Sequence, residues 1–308
     1  MPTIYISTTT YAQFSDKPIE LLQSEGYNIK LNDKSRKLTD NEVIEIVEDC
    51  DGILAGTETY NQQILNKANK LKVISRLGVG LDNIDLDYAF KKGIKVFKTQ
   101  TTPAMAVAEL TLGLILDLLR KISFQDCLTK NGQWEKHMGL LLSGKTLGII
   151  GLGAIGKTLV EITRGFNINY LAFDKYEDHS FAQKYNVNYT GLDNLLRKSD
   201  VVSIHLNFSK EMRNLINCDK LNMMKRSAII INTARGGIIN EADLEKNLKN
   251  GLLSGAGLDV YDEEPYAGPL RECNNVLLSP HIGSYAKEIR IKMEQEAAEN
   301  LIKGLANG

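Results

Sequence analysis

Short, continuously apolar runs recur along the whole chain, and they restrict its fold more than any other feature. They are "TIYIS" (3–7), "GILAG" (52–56), "KVISRLG" (72–78), "IKVFK" (94–98), "TLGIIGLG" (146–153), "YLAFD" (170–174), "DVVSIHL" (200–206), "AIIINTA" (228–234), "GAGLDV" (255–260) and "NVLLSP" (275–280). A strand that is apolar on both faces needs cover on both faces, and such runs alternating with helical segments mark a parallel α/β sheet. Between them, "DNEVIEIVEDC" (40–50) and "EADLEKNLKNG" (241–251) space their apolar residues as covering helices do. No internal repeat or low-complexity segment interrupts the pattern. A chain of 308 residues can bury a substantial core, and its length suggests about two domains.

The stretch "TTPAMAVAELTLGLILDLLRKI" (101–122) is apolar around most of its circumference. Thr102 can cap it and Pro103 suits its first turn, so a helix starts there, buried against the chain's own sheet or a second subunit. A domain boundary is expected near 99–102, where a strand gives way to this helix. The final "KEIRIKMEQEAAENLIKG" is a helix of high propensity whose docking place periodicity does not reveal.

Gly151, Gly153 and Gly156 stand in GxGxxG spacing directly after the strand "TLGII" and before the helical "KTLVEITRGF". In that setting the first glycine permits a tight turn, the second lets backbone approach a pyrophosphate, and the third allows close helix packing. Asp174 ends the next strand, where a carboxylate can accept hydrogen bonds from the ribose of NAD and would repel the extra phosphate of NADP. The glycine turn and Asp174 together point to NAD as cofactor.

Other function classes are disfavoured. A formal net charge of -1 provides no global field for nucleic acid or an anionic membrane. Cys50, Cys127, Cys218 and Cys273 form no CxxC pair, which fits a reducing compartment and inert or buried thiols. The start "MPTIYISTTTYAQ" lacks the marks of a signal peptide and no run is long enough to span a bilayer, so a cytoplasmic protein is expected. "LDNIDLD" (81–87) lacks calcium-loop spacing, no His or Cys pair has zinc-ligand spacing, and no GxSxG elbow occurs. No metal site is expected.

Three later segments, "INTARGG" (231–237), "GLDVYDEEP" (257–265) and "LSPHIGS" (278–284), become legible beside the glycine turn. With "SRLGVGLDNID" (75–85), "TTPAMAVAEL" (101–110) and "GQWEKHMGLLLSGKTLGIIGLGAIG" (132–156), they resemble in order and spacing the D-isomer-specific 2-hydroxyacid dehydrogenase family. The resemblance runs over most of the chain from residue 50 onward. It implies two Rossmann-like domains with parallel sheets, an NAD-binding domain (100–284) inserted into a flavodoxin-like substrate domain (1–99 and 285–308). It also implies a homodimer formed through the NAD-binding domain, which would bury the helix 103–122 and Trp134.

The resemblance further implies roles for particular residues. Arg235 would hold the substrate carboxylate and polarise its carbonyl, a task suited to a permanently charged fork of donors. His281 would be the proton carrier, since its equilibrium lies nearest working pH, and Glu264 would orient it and favour its charged form. The amides of Val79 and Gly80 would bind the substrate carboxylate. Gly151, Gly153, Ala154, Ile155, Gly156, Asp174 and Thr233 would contact the cofactor, and Asp259 its nicotinamide end. Taken alone, Arg235 also reads as a local ion-pair partner, Glu264 as a loop acid and Asp259 as a turn cap. Of the other histidines, His137 and His179 lie in polar segments and read as solvated, while His205 reads equally as structural or cofactor-adjacent.

Within the family, "AGTETYNQQIL", "SRLGVGLDNIDLD" and "AVAELTLGLILDLLR" are most similar to phosphoglycerate dehydrogenases. That likeness implies oxidation of 3-phosphoglycerate in serine biosynthesis; since the chain stops without a regulatory C-terminal domain, feedback through such a domain is not expected. Gly56 and Thr57 stand where phosphoglycerate dehydrogenases carry an Arg-Ser pair, which keeps glyoxylate, hydroxypyruvate or a sugar-derived acid open as substrates. Glu264, a carboxylate, disfavours formate. An NAD(H)-sensing binding module of the corepressor type is the alternative of another class.

Overall fold

Residues 1–34 and 36–306 are described by a computed structural model. The chain divides into two units, Met1–Thr102 with Tyr285–Gly308, and Pro103–Ser284; residues 307–308 of the expected 285–308 segment lie outside the described residues.

The first unit is built on five parallel strands: β1 (Thr3–Ile6), β2 (Asn28–Leu31), β3 (Gly52–Ala55), β4 (Val73–Arg76) and β5 (Lys95–Lys98), in the order β2-β1-β3-β4-β5. Alternation along β3 explains why its run is apolar throughout. Ile53 packs beneath the face that also covers Val43, Val47 and Ile64, whereas Leu54 faces the opposite layer with Ile4, Ile6 and Val73. That opposite layer is closed by the C-terminal helix Lys287–Ala306, which presents Met293, Ala297 and Leu301 at four-residue spacing. The Ser75 hydroxyl donates to the Ala297 carbonyl at 2.8 Å and locks the helix to β4.

The second unit holds seven parallel strands: β6 (Thr146–Ile150), β7 (Asn169–Phe173), β8 (Val187–Tyr189), β9 (Val201–Ile204), β10 (Ile229–Asn232), β11 (Gly255–Leu258) and β12 (Val276–Leu278). Their order is β12-β11-β10-β9-β6-β7-β8, the doubly wound arrangement that reverses between β6 and β9. The helix Ala104–Arg120 buries Ala108, Leu114 and Ile115 in one core with Leu147, Ile149 and Ile231. It therefore lies on this unit's own sheet.

Four details differ from the sequence reading. The helix begins with Pro103 as its cap residue and no side-chain cap, so Thr102 does not fill that role. It stops at Lys121, which adopts the left-handed conformation (φ 55°), and a second helix, Ile122–Lys130, follows with no buried residue. Strands β2 ("NIKL") and β8 ("VNY") were not evident from apolar runs, because each closes a sheet edge and has only one strand neighbour. Among the cysteines, Cys50 and Cys273 are buried and Cys127 is exposed; all four are free, and burial pushes the Cys50 thiol up to about 12.

Candidate active site

The glycine turn sits where β6 and β9 part. Gly151 takes φ 95°, and a Cβ there would meet the His205 carbonyl oxygen at 2.7 Å, so only glycine suits this turn. At Gly156 a Cβ would stand 2.5 Å from the Gly151 carbonyl oxygen, because the helix Ala154–Thr163 presses directly on the turn. Gly153 is different: nothing lies within 4 Å of its Cβ position, and the helix that starts after it has no side-chain cap. The first-turn amides, including those of Ala154 and Ile155, are thus left for an anion.

Asp174, just beyond β7, accepts from Leu152 N–H at 2.7 Å and from Tyr176 N–H at 2.9 Å. The first of these ties its carboxylate to the glycine turn, one residue past Gly151. Uncapped amides with open space at Gly153, next to an acceptor group suited to ribose hydroxyls, fit NAD. His205 directly follows the neighbouring strand with Nε2 2.9 Å from Ser203 Oγ, and burial pulls its imidazole down to about 3. It is a neutral structural histidine under the turn.

Beyond β10, Asn232 shapes the loop that carries Arg235. Its side chain accepts from Ala234 N–H at 3.1 Å and donates to the Arg235 carbonyl at 2.9 Å. Thr233 is buried, and its hydroxyl is 2.9 Å from that of Thr111 in the helix Ala104–Arg120. Its side chain faces the core. Gly236, next to Arg235, lies against the following loop so closely that a Cβ would come within 1.8 Å of the Tyr261 carbonyl oxygen.

That following loop carries Glu264, whose Oε1 accepts from Tyr261 N–H at 3.2 Å. His281 Nδ1 is 2.9 Å from Glu264 Oε2 and 3.0 Å from Oε1. With Nδ1 engaged, Nε2 is the atom left to carry an exchangeable proton. His281 holds φ 55°, a conformation that a non-glycine residue keeps only when its surroundings enforce it.

Asp259 supplies that enforcement. Only 1% exposed, it accepts from Ser279 Oγ at 2.6 Å, Ile282 N–H at 2.8 Å and Gly283 N–H at 2.8 Å, clamping both sides of His281. Burial raises its carboxyl above the usual range, with these hydrogen bonds opposing the rise. Sequence reasoning placed Asp259 at the cofactor and missed Ser279 altogether. It also missed the Arg213–Asp262 pair (3.0 and 2.7 Å) and Glu241, which accepts from Asp262 N–H at 2.8 Å; together they brace the Glu264 loop.

Val79 and Gly80 belong to the first unit, in the loop after β4, where Val79 is exposed. His179 is solvated as expected. His137 is half-buried, packing edge-on against Phe124 with ring centroids 5.0 Å apart. Among the described residues no cluster of three or more His, Cys, Asp or Glu could hold a metal ion, and no helix is long and apolar enough to cross a membrane.

Comparison with known proteins bears on this geometry. A family model described as the NAD binding domain of D-isomer specific 2-hydroxyacid dehydrogenases matches residues 112–283. A glyoxylate reductase from Thermococcus litoralis is 34% identical over 98% of this chain and 93% of its own. A D-3-phosphoglycerate dehydrogenase from Methanocaldococcus jannaschii is 37% identical over 87% of this chain and 52% of its own. The crystal structure of the TT0316 protein from Thermus thermophilus superposes with a TM-score of 0.89 at 30% identity, covering 99% of this chain and 97% of that one.

Proposed function

The chain belongs to the D-isomer specific 2-hydroxyacid dehydrogenases, NAD-dependent enzymes, and from that premise we propose that Arg235, Glu264 and His281 are its catalytic residues. The observation that carries the proposal is the contact of His281 Nδ1 with both oxygens of Glu264, which leaves Nε2 to move a proton. In reduction, Nε2–H donates to the substrate's carbonyl oxygen; in oxidation, Nε2 takes the hydroxyl proton back. Glu264 stabilises the imidazolium and holds the ring in place. Arg235 offers its fork of donors to the substrate carboxylate and carbonyl, and the amides of Val79 and Gly80, in the first unit, are of a kind that binds a carboxylate.

NAD, when bound, supplies or accepts the hydride. Gly151, Gly153, Ala154, Ile155 and Gly156 would hold its pyrophosphate, and Asp174 its ribose. Thr233 and Asp259 serve at one remove, since the hydroxyl of the first is turned onto Thr111 and the carboxylate of the second is engaged by the turn around His281.

The substrate pair is a short D-2-hydroxy acid and its 2-oxo acid. Likeness to the Thermococcus litoralis enzyme over nearly both whole chains supports glyoxylate or hydroxypyruvate. Likeness to the Methanocaldococcus jannaschii enzyme supports the second reading, 3-phosphoglycerate and a place in serine biosynthesis. Met105, Ile122, Trp134, Met138 and Leu141 are large apolar residues of the second unit that stand exposed, and we assign them to the interface of a homodimer.

The test is NADH oxidation with glyoxylate by the wild type and His281→Asn. The variant should lose roughly 10²- to 10⁴-fold in kcat while its NADH affinity stays the same. A folded variant that turns over at the wild-type rate would remove His281 from the mechanism.

A further inference from the structure

The first unit's sheet reverses its strand order between β1 and β3. In open parallel sheets the crevice beyond the strand ends at such a reversal is where ligands bind. Here β1 runs out into Ser7 and Thr8, and β3 into Gly56. Glu58 fills the space between them. It is 3% exposed, and its Oε2 accepts from the Ser7 hydroxyl at 2.6 Å and from Gly56 N–H at 3.1 Å. A strand-end amide and a hydroxyl converging at a switch point form a small anion-binding corner, and the chain's own carboxylate occupies it.

A side chain in place of Gly56 would crowd Glu58. A Cβ at Gly56 would lie 2.9 Å from Thr8 Cγ2 and 3.0 Å from Glu58 Oε2, so a larger residue there would have to displace these side chains. Thr8 Oγ1, beside it, is buried and has no hydrogen-bond partner, so the corner has a spare polar atom but no unclaimed donor pair. The loop is also tied to the one holding Val79 and Gly80. Asn83 donates to the carbonyls of Glu58 at 2.6 Å and Gly56 at 3.3 Å, while Tyr60 N–H donates to the Asn83 carbonyl at 2.8 Å and Asp85 N–H to the Tyr60 carbonyl at 2.9 Å. The Glu58 loop is thus hydrogen-bonded to the segment that follows Val79 and Gly80.

We infer that Glu58 is a specificity-determining residue that turns away acids with a terminal phosphate, so that this enzyme acts on short, unphosphorylated 2-oxo acids. The inference rests on the dehydrogenase reading above. A phosphate reaching this crevice would meet a fixed negative charge in place of donors, and like charges held in a low-dielectric pocket repel strongly. A substrate that ends at its carbonyl or in a neutral hydroxyl meets no such repulsion. Arg76, at the end of β4, is folded against the Leu77 carbonyl.

The experiment compares kcat/KM for NADH-dependent reduction of hydroxypyruvate and 3-phosphohydroxypyruvate by the full chain, as wild type and Glu58→Gln. The wild type should favour the unphosphorylated acid by about a hundredfold or more, and the variant should narrow that ratio by about tenfold. A wild type that prefers the phosphorylated acid overturns the inference and leaves the dehydrogenase reading standing. So does a folded variant with an unchanged ratio. Should Glu58→Gln fail to fold, the wild-type ratio decides, backed by competitive inhibition: D-glycerate weaker than 3-phosphoglycerate would refute the role of Glu58. Turnover of neither acid, nor of glyoxylate, would instead refute the dehydrogenase reading.

Discussion

Replacing Gly236 with alanine tests how tightly the loop of Arg235 is coupled to that of Glu264. The added Cβ would lie 1.8 Å from the Tyr261 carbonyl oxygen, 2.1 Å from its carbon and 2.7 Å from Asp262 N, all backbone atoms that no rotamer change can move aside. Restoring a 3.0 Å separation from the oxygen requires a relative shift of 3.0 − 1.8 = 1.2 Å. The shift falls either on the residue after Arg235 or on the segment leading to Glu264, whose contacts with His281 are only 2.9 and 3.0 Å long. A misplacement of about 1 Å in a catalytic group lowers rate by about a hundredfold, equivalent to about 2.7 kcal/mol of barrier. Overpacking should also lower stability by about 1–3 kcal/mol. The assay is kcat with saturating NADH and glyoxylate, beside a thermal melt and NADH binding to show that the protein remains folded and loaded. Full kcat with an unshifted melt would refute the coupling between these loops.

Three further outcomes are expected. Gly153→Ala should leave stability within about 0.5 kcal/mol but weaken NADH binding, because its Cβ would meet no protein atom; Gly156→Ala, 2.5 Å from the Gly151 oxygen, should lose both. Equal effects on binding and melting in the two variants would argue against an anion over Gly153. His205, held down to about 3 by burial, takes up a proton far more readily when unfolded, so its contribution to stability is intact above about pH 6.5 and drains away as pH falls toward 3. Between pH 7 and 5 the loss is about 2 kcal/mol, and urea unfolding of His205→Asn should show a correspondingly flatter pH dependence; the wild-type slope in that variant would rule the effect out. If the proposed homodimer interface is right, Trp134, 83% exposed, is covered by it, so the wild type should sediment as a dimer and Trp134→Asp as a monomer; identical masses would refute this interface.

The amino-acid sequence alone determined the class of fold. Strands buried on both faces have to be apolar along their whole length, so β3, β6, β9 and β10 announce a parallel sheet without any knowledge of their neighbours. The glycine turn is equally legible, because Gly151 answers a local demand, a positive φ right after a strand. Only the tertiary structure decided what depends on contacts between distant segments. Strands β2 and β8 exist because an edge was available to pair with, not because their own residues insist on it. His281 keeps its left-handed backbone through Asp259, twenty-two positions earlier, and meets Glu264, seventeen positions earlier, since β11 and β12 pair in parallel and bring the loops after them together. Glu58 reads as one polar residue among several in "AGTETY", and its place between Ser7 and Gly56 follows from the strand reversal that sets β1 beside β3. Propensity and periodicity act within a few residues of chain, whereas burial, charge and hydrogen-bond partners at a site are set by which strand ends the sheet order makes adjacent.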